Sequence, residues 1–208
     1  MTALLFVDVD TQQDFCHPDG ALFVKQAPAV LPNIRRLVKR ALDQDALLVG
    51  SVDTHDHTAW EFAANGGPFP PHCVKGTPGW LKVKGTLPER AVFVPDGSPA
   101  CTPEVPADTQ AVVFEKQVYS LFANPRAEPL LDSLLQARGL TRGDVRAVVF
   151  GVATDYCVKE AALGLRARGF EVAVVTDAIA PVDPATGEQA LNAMKAAGCH
   201  TLTARSLT

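Results

Sequence analysis

Several patterns are missing from this sequence, and each absence removes a class of function. There is no CxxC pair, and the five cysteines (Cys16, Cys73, Cys101, Cys157 and Cys199) are odd in number, which argues against a disulfide framework in a 208-residue chain. Most of them are expected as reduced thiols, with small buried apolar residue as the plain reading for Cys16, Cys101 and Cys199. There is no long basic run, and a formal charge of -4 leaves no electrostatic footprint for nucleic acid or an anionic membrane. No apolar stretch approaches the ~20 residues of a membrane span. The opening MTALLFVDVD lacks a basic n-region and sets aspartates inside its apolar run, so it reads as a buried strand. A soluble, cytoplasmic protein acting on a small molecule is expected, with no nucleic-acid or membrane partner. The sequence also lacks GxGxxG after a strand, a GxxxxGKS phosphate loop and a GxSxG elbow, so dinucleotide, nucleotide and serine-hydrolase readings go unsupported.

What is present is the composition of an ordinary globular protein, 47% apolar and 20% charged. Its length suits a single domain over 1–208 with a substantial core. ALLFVDV (3–9), ALLVGSV (46–52), AVVFE (111–115), VRAVVFG (145–151) and EVAVVT (171–176) are near-continuous apolar runs of strand length, as expected for parallel strands buried on both faces. Between them, Val30, Ile34, Leu37, Val38 and Ala41 share one helical face, as do Leu130, Leu131, Leu134 and Leu135. Val158, Ala161, Ala162 and Leu165 repeat the spacing, and a last helix covers roughly 184–197. This alternation predicts an α/β fold: a doubly wound, mainly parallel sheet with helices on both faces. The segment at about 54–106 breaks the rhythm with Pro- and Gly-rich stretches such as GGPFPPH and GTPGW. Its two tryptophans and three histidines mark it as a functional loop region.

In such sheets ligands bind beyond the carboxyl ends of the strands. The polar residues expected there are Asp8 or Asp10, then Asp53, Lys116, Cys157 and Asp177. Cys157 stands in GVATDYCVKE, at the passage from strand to helix. There a helix dipole and a neighbouring ammonium are expected to lower its pKa, with Thr154 or Asp155 capping the helix. Cysteine, lysine and a carboxylate together make an activated nucleophile. A second cluster begins at Asp53 and continues through His55 and His57 to His72. In an extended segment 53, 55 and 57 project to one side, so a carboxylate and imidazoles can share a divalent ion. Mixed N/O ligation suits Zn, Mn or Fe. Spacing alone does not choose between His55 and His57, and surface histidines in a polar loop remain the plainer reading of that cluster.

Four blocks together resemble the nicotinamidase/isochorismatase-like cysteine hydrolases, and among them nicotinamidases most: DTQQDF at 10–15, DTH at 53–55 with FPPHCVKGTPG at 69–79, FEKQVYSLF around Lys116, and GVATDYCV at 151–158. The resemblance implies the isochorismatase-like hydrolase fold and a catalytic triad of Asp10, Lys116 and Cys157, which selects Asp10 over Asp8. It implies one divalent metal, zinc favoured with iron or manganese as alternatives, on Asp53, His55 and His72. Glu61 or His57 is then a possible further ligand. It also implies a cis peptide at Val152–Ala153, an oxyanion hole from the backbone N–H groups of Ala153 and Cys157, and a substrate pocket involving Phe15, Phe69, Tyr119 and Tyr156.

The implied reaction is hydrolysis of nicotinamide to nicotinate and ammonia through a cysteine thioester, a step of pyridine nucleotide salvage in NAD metabolism, by a chain that can form homo-oligomers. Two rivals stand beside it. One is a related hydrolase acting on a carbamoyl, ureido or other small amide, or an isochorismatase-type enzyme. The other is a non-catalytic metal-binding or redox-sensing module using Cys157 as its sensor.

Overall fold

In a computed structural model of the chain, residues 2–97 and 103–207 are described. Seven strands form one sheet: β1 (Ala3–Val9), β2 (Leu47–Asp53), β3 (Ala91–Val94), β4 (Ala111–Lys116), β5 (Val145–Val152), β6 (Glu171–Ala180) and β7 (His200–Leu202). Their spatial order is β3-β4-β2-β1-β5-β6-β7, and every neighbouring pair is parallel. All residues of β2 and β4 are buried, which is why these strands read as unbroken apolar runs rather than as alternating ones.

Five helices complete the fold: α1 (Gln13–Cys16), α2 (Ala27–Asp43), α3 (Ala127–Gln136), α4 (Lys159–Ala167) and α5 (Pro184–Ala196). On one face of the sheet α2 buries Ile34, Leu37, Val38 and Ala41 against Phe6, Phe150 and Val175. On the other, Leu131 and Leu135 of α3, Ala161, Ala162 and Leu165 of α4, and Met194 of α5 pack with Val7, Val49, Phe114 and Val149. A side chain such as Phe114 or Phe150, buried completely, contributes about 1.5–3 kcal/mol relative to exposure. The expected face of α3 narrows: Leu131 and Leu135 are buried, while Leu130 and Leu134 are only partly so. Val30, on the edge of the α2 stripe, is also only partly buried.

The doubly wound expectation is met, with two additions. β3 lies inside the 54–106 region and β7 closes the far edge. That region is further organised by short helical turns at Ala63–Asn65 and Pro78–Trp80 and by bridges pairing His55 with Val74 and Phe62 with Phe69. Among the described residues no helix is long and apolar enough to cross a membrane. Cys16, Cys73, Cys157 and Cys199 are buried free thiols, whereas Cys101 lies outside the described residues.

The order of strand addition switches sides at β1: β2 and β4 lie on one side, β5 and β6 on the other. This is the switch point at which open parallel sheets bind ligands. The four strands around it, β4, β2, β1 and β5, end together, and their ends carry the chemistry.

Candidate active site

Register explains how the groups meet. Asp53 and Lys116 are paired across β2 and β4, and Val9 lies between Ser51 on β2 and Gly151 on β5. Asp10 follows directly, in a left-handed conformation (φ 46°), with its N–H donating to the Ser51 carbonyl at 3.1 Å and Ser51 Oγ donating to its carboxylate at 2.7 Å. A non-glycine residue seldom adopts this φ, and such outliers collect where a side chain must be aimed. At Gly151 (φ 123°) a Cβ would stand 2.0 Å from the Val9 carbonyl, so only glycine lets β5 lie this close to the β1 terminus. The Val152–Ala153 peptide that follows is cis. It leads into a π-helical turn over Thr154–Val158, which presents Cys157.

Lys116 is wholly buried at the centre. Its Nζ is 2.8 Å from Asp10, 3.5 Å from Cys157 Sγ and in contact with Asp53 Oδ1. The ligating atoms of Asp10, Asp53 and Cys157 fall within 4.8 Å of one another, but the Lys116 ammonium already contacts all three. Burial would lower the Lys116 pKa, yet the Asp10 and Asp53 carboxylates outweigh it and hold the side chain well above its ordinary value as an ammonium. The expected acidification of Cys157 is not found. Burial pushes its thiol well above the usual value, Lys116 only opposes this, and the Asp10 and Asp53 carboxylates reinforce it. A local helix dipole does not offset the low polarity around a side chain 5% exposed.

Two further expectations are corrected. Neither Thr154 nor Asp155 caps the helix: the Asp155 carboxylate accepts from the N–H groups of Val182 and Asp183 at 3.0 and 3.1 Å and from Thr186 Oγ1 at 2.6 Å. It ties the nucleophile turn to the segment leading into α5. Asp155→Ala is therefore expected to destabilise the fold by about 2–4 kcal/mol, seen as a lower urea midpoint, because two backbone donors lose a charged acceptor. Asp177 does not join the cluster, since β6 runs past it to Ala180 and its carboxylate accepts from the Ala204 N–H at 2.8 Å.

Beside the lysine lies a second buried cluster. Asp53, His55, Glu61 and His72 bring ligating atoms within 4.8 Å of one another. His55 Nε2 is 2.7 Å from Glu61 Oε1, and His72 Nε2 is 3.3 Å from the same oxygen. His72 Nδ1 contacts the Pro70 carbonyl at 2.8 Å, which reserves Nε2 for a ligand. Despite its proximity to Glu61, His55 Nε2 has no hydrogen-bond geometry, and neither does its Nδ1. A buried imidazole without a partner, aimed among two carboxylates and another imidazole, is what a divalent cation would complete. Burial would raise the Glu61 pKa, but its contacts with His55 and His72 lower it to about 2. Glu61, rather than the exposed His57, is the fourth residue of this cluster.

Three of these residues, Asp53, Glu61 and His72, and the thiol face one pocket. All four aromatic residues named from the sequence, Phe15, Phe69, Tyr119 and Tyr156, line it together with Ala153 and Cys157. Tyr156 packs against Tyr119 and Phe69 with ring centroids 5.2 and 6.1 Å apart, and Phe15 and Phe69 flank His72. Leu22, Val24 and Val182 also line the pocket and carry no motif that would have announced them. Gln12 was likewise passed over. Its amide donates to the Asp53 and Trp80 carbonyls at 2.8 and 2.9 Å and accepts from the Asp53 N–H at 2.7 Å, fixing the backbone of the residue shared by both clusters. The Asp14 carboxylate accepts from the Cys73 N–H at 2.7 Å, in space left by Gly79, and so joins the DTQQDF block to the PPHC block.

Comparison with known proteins agrees with this geometry. The isochorismatase domain family matches residues 2–95 and 88–206. The nicotinamidase/pyrazinamidase of Mycobacterium tuberculosis is 33% identical, covering 95% of this chain and 96% of that protein. The Escherichia coli nicotinamidase is 30% identical, covering 94% and 92%. Among solved structures, pyrazinamidase of Pyrococcus horikoshii in complex with zinc superposes with a TM-score of 0.74 at 30% identity, over 96% of this chain and 98% of that one. PnC1 from L. infantum in complex with nicotinate gives 0.76 at 29% identity, over 99% and 94%. Motifs, strand order and these likenesses agree over nearly the full length, and the chain belongs to the isochorismatase family, as a relative of the nicotinamidases.

Proposed function

We propose that this chain is a nicotinamidase, hydrolysing nicotinamide to nicotinate and ammonia through a thioester on Cys157. The observation that carries the reading is the contact set of Lys116. One buried ammonium touches a carboxylate, a thiol and an acid of the cation cluster, and the thiol and that acid line an aromatic pocket.

The roles follow from the protonation states. The thiol is held protonated by burial, so its proton passes to Asp10, whose carboxylate lies within 4.8 Å, as sulfur attacks the carboxamide carbon. The oxyanion faces the backbone N–H groups of Ala153 and Cys157. The C–N bond breaks, and ammonia leaves with the proton held by Asp10. The freed carboxylate then takes a proton from water as its oxygen attacks the thioester, and the proton returns to sulfur when nicotinate departs. Lys116 keeps its charge throughout and stays in contact with Asp10 between these transfers.

Asp53, His55, Glu61 and His72 would hold one divalent metal, and their two imidazoles and two carboxylates without a thiolate favour zinc, with iron or manganese next. When bound, such an ion supplies a Lewis-acidic anchor for a ring nitrogen. Phe15, Phe69, Tyr119 and Tyr156 stack around the ring, and the whole chain acts as one catalytic domain on a small amide.

Purified protein is expected to release ammonia from nicotinamide and pyrazinamide and to carry one divalent ion per chain by elemental analysis. Carbamoyl and ureido compounds should stay at background. Turnover of a ureido compound without turnover of nicotinamide would instead favour the related-amidase reading. Reversible peroxide oxidation of Cys157 with no ammonia from any amide would favour the sensor.

A further inference from the structure

A second buried ion pair lies beneath the first, and the reaction described above makes no use of it. Asp8, on β1 two residues before Asp10, is 2% exposed, and its Oδ2 is 2.9 Å from Nζ of Lys82, whose side chain is also buried. The Thr11 hydroxyl is 3.0 Å from both Asp8 oxygens and from the Thr86 hydroxyl. Lys82 arrives from the 54–106 region. Its segment runs antiparallel to the residues after Asp10: the Gln13 N–H donates to the Leu81 carbonyl and the Val83 N–H to the Thr11 carbonyl, both at 2.8 Å. The pair therefore joins the strand that supplies Asp10 to the loop that supplies His55, Glu61 and His72.

Stability does not explain such a pair. Removing two charges from water costs about as much as their attraction returns, and apolar side chains of the same volume commonly serve as well. Charge balance explains it better. Asp8, Asp10 and Asp53 are three buried carboxylates at neighbouring strand ends, and Lys116 contacts only Asp10 and Asp53. An unneutralised Asp8 would set a third negative charge close to Asp10 in a medium of low polarity, where such charges act strongly.

We propose that Lys82 is a positioning residue for catalysis: paired with Asp8, it cancels that charge where β1 meets the 81–83 segment, so that Lys116 serves Asp10 and Asp53 alone. This rests on the nicotinamidase reading, and the two fail separately. If the wild type releases no ammonia from nicotinamide, the reading falls, whereas the inference is judged on variants of an active wild type.

The test is a double-mutant cycle on the metal-loaded enzyme, with kcat and KM for nicotinamide expressed per folded protein and metal content checked in each variant. Lys82→Met is expected to lower kcat by about tenfold, within the range that contacting charges show in such cycles, with KM within about twofold of wild type. Asp8→Asn, which strands the ammonium instead, is expected to lower kcat similarly and keeps the test decisive if Lys82→Met does not accumulate as folded protein. The neutral pair Asp8→Asn/Lys82→Met is expected to recover kcat to within about threefold of wild type. A merely structural pair would lower the melting temperature of each single variant and leave kcat per folded protein unchanged. That result, or a double variant no better than its worse parent, would overturn the inference.

Discussion

Cys157→Ala is expected to remove ammonia release from nicotinamide, with a loss in kcat on the order of 10⁴-fold or more, as when the nucleophile of a covalent mechanism is deleted. No other group in the pocket can take over. Cys16 and Cys73 are buried outside its lining, and burial holds both thiols protonated, Cys16 pushed up to about 12 and Cys73 well above its usual value. The variant should fold and keep its metal. The side chain removed is small, and the cation donors come from β2 and the long loop rather than from the turn that carries Cys157. Acid quench during turnover should trap a nicotinoyl adduct on the wild type and none on the variant. Retained turnover, or an adduct at another residue, would remove Cys157 from its role.

The raised thiol pKa gives this prediction a second edge. A nucleophile kept neutral by burial is protected from oxidants and alkylating agents, because the thiolate is the reactive form. Its activation has to be coupled to a base within reach, and the Asp10 carboxylate lies within 4.8 Å of the sulfur. The site therefore works as a proton relay between sulfur and carboxylate, not as a standing thiolate. Serine at 157 should be as inert as alanine, since its hydroxyl is a weaker acid in the same surroundings.

Legibility in the sequence divides along a physical line. β1, β2, β4, β5 and β6 were readable because they are covered on both faces, which forces long apolar runs on them. β3 and β7 were not, for they are short edge strands, mostly half-buried or exposed, and an exposed edge places little demand on composition. Lys116 and Cys157 announced themselves by their places at strand ends, Asp10 stood beside Asp8 until the family resemblance selected it, and the structure brings the three together within 4.8 Å or less. What the chain order concealed was set by contacts distant in sequence. Glu61 and His57 are equally plausible in a linear reading, and only folding the loop back on Asp53 turns one inward and leaves the other in solvent. Asp155 resembled a helix cap because its true partners, Val182, Asp183 and Thr186, lie about thirty residues away and leave no local trace. The Cys157 pKa was misjudged for the same reason, since burial is a tertiary property.

Lys116→Met is expected to be the most damaging single change to the architecture of the site. The substitution keeps the length of the side chain but leaves Asp10 and Asp53, both buried, facing each other without a cation. Breaking a buried pair in this way costs about 3–5 kcal/mol, measurable as a fall in urea midpoint at unchanged slope. Arginine would not rescue it, because a planar guanidinium does not fit a cavity shaped around one buried Nζ. In wild type the folded pKa of Lys116 lies above its unfolded value, so the stabilisation from its charge is fully present below about pH 10.4 and is lost only as pH rises through the folded value. The stability difference between wild type and variant should thus persist through neutral pH and narrow only in strongly alkaline solution. A difference that vanished by pH 8 would show that Lys116 is not the charged centre described here. Activity should fall further than stability predicts, by about 10²–10⁴-fold in kcat for the fraction that remains folded, because two adjacent carboxylates without a cation share a proton and Asp10 is no longer a free base.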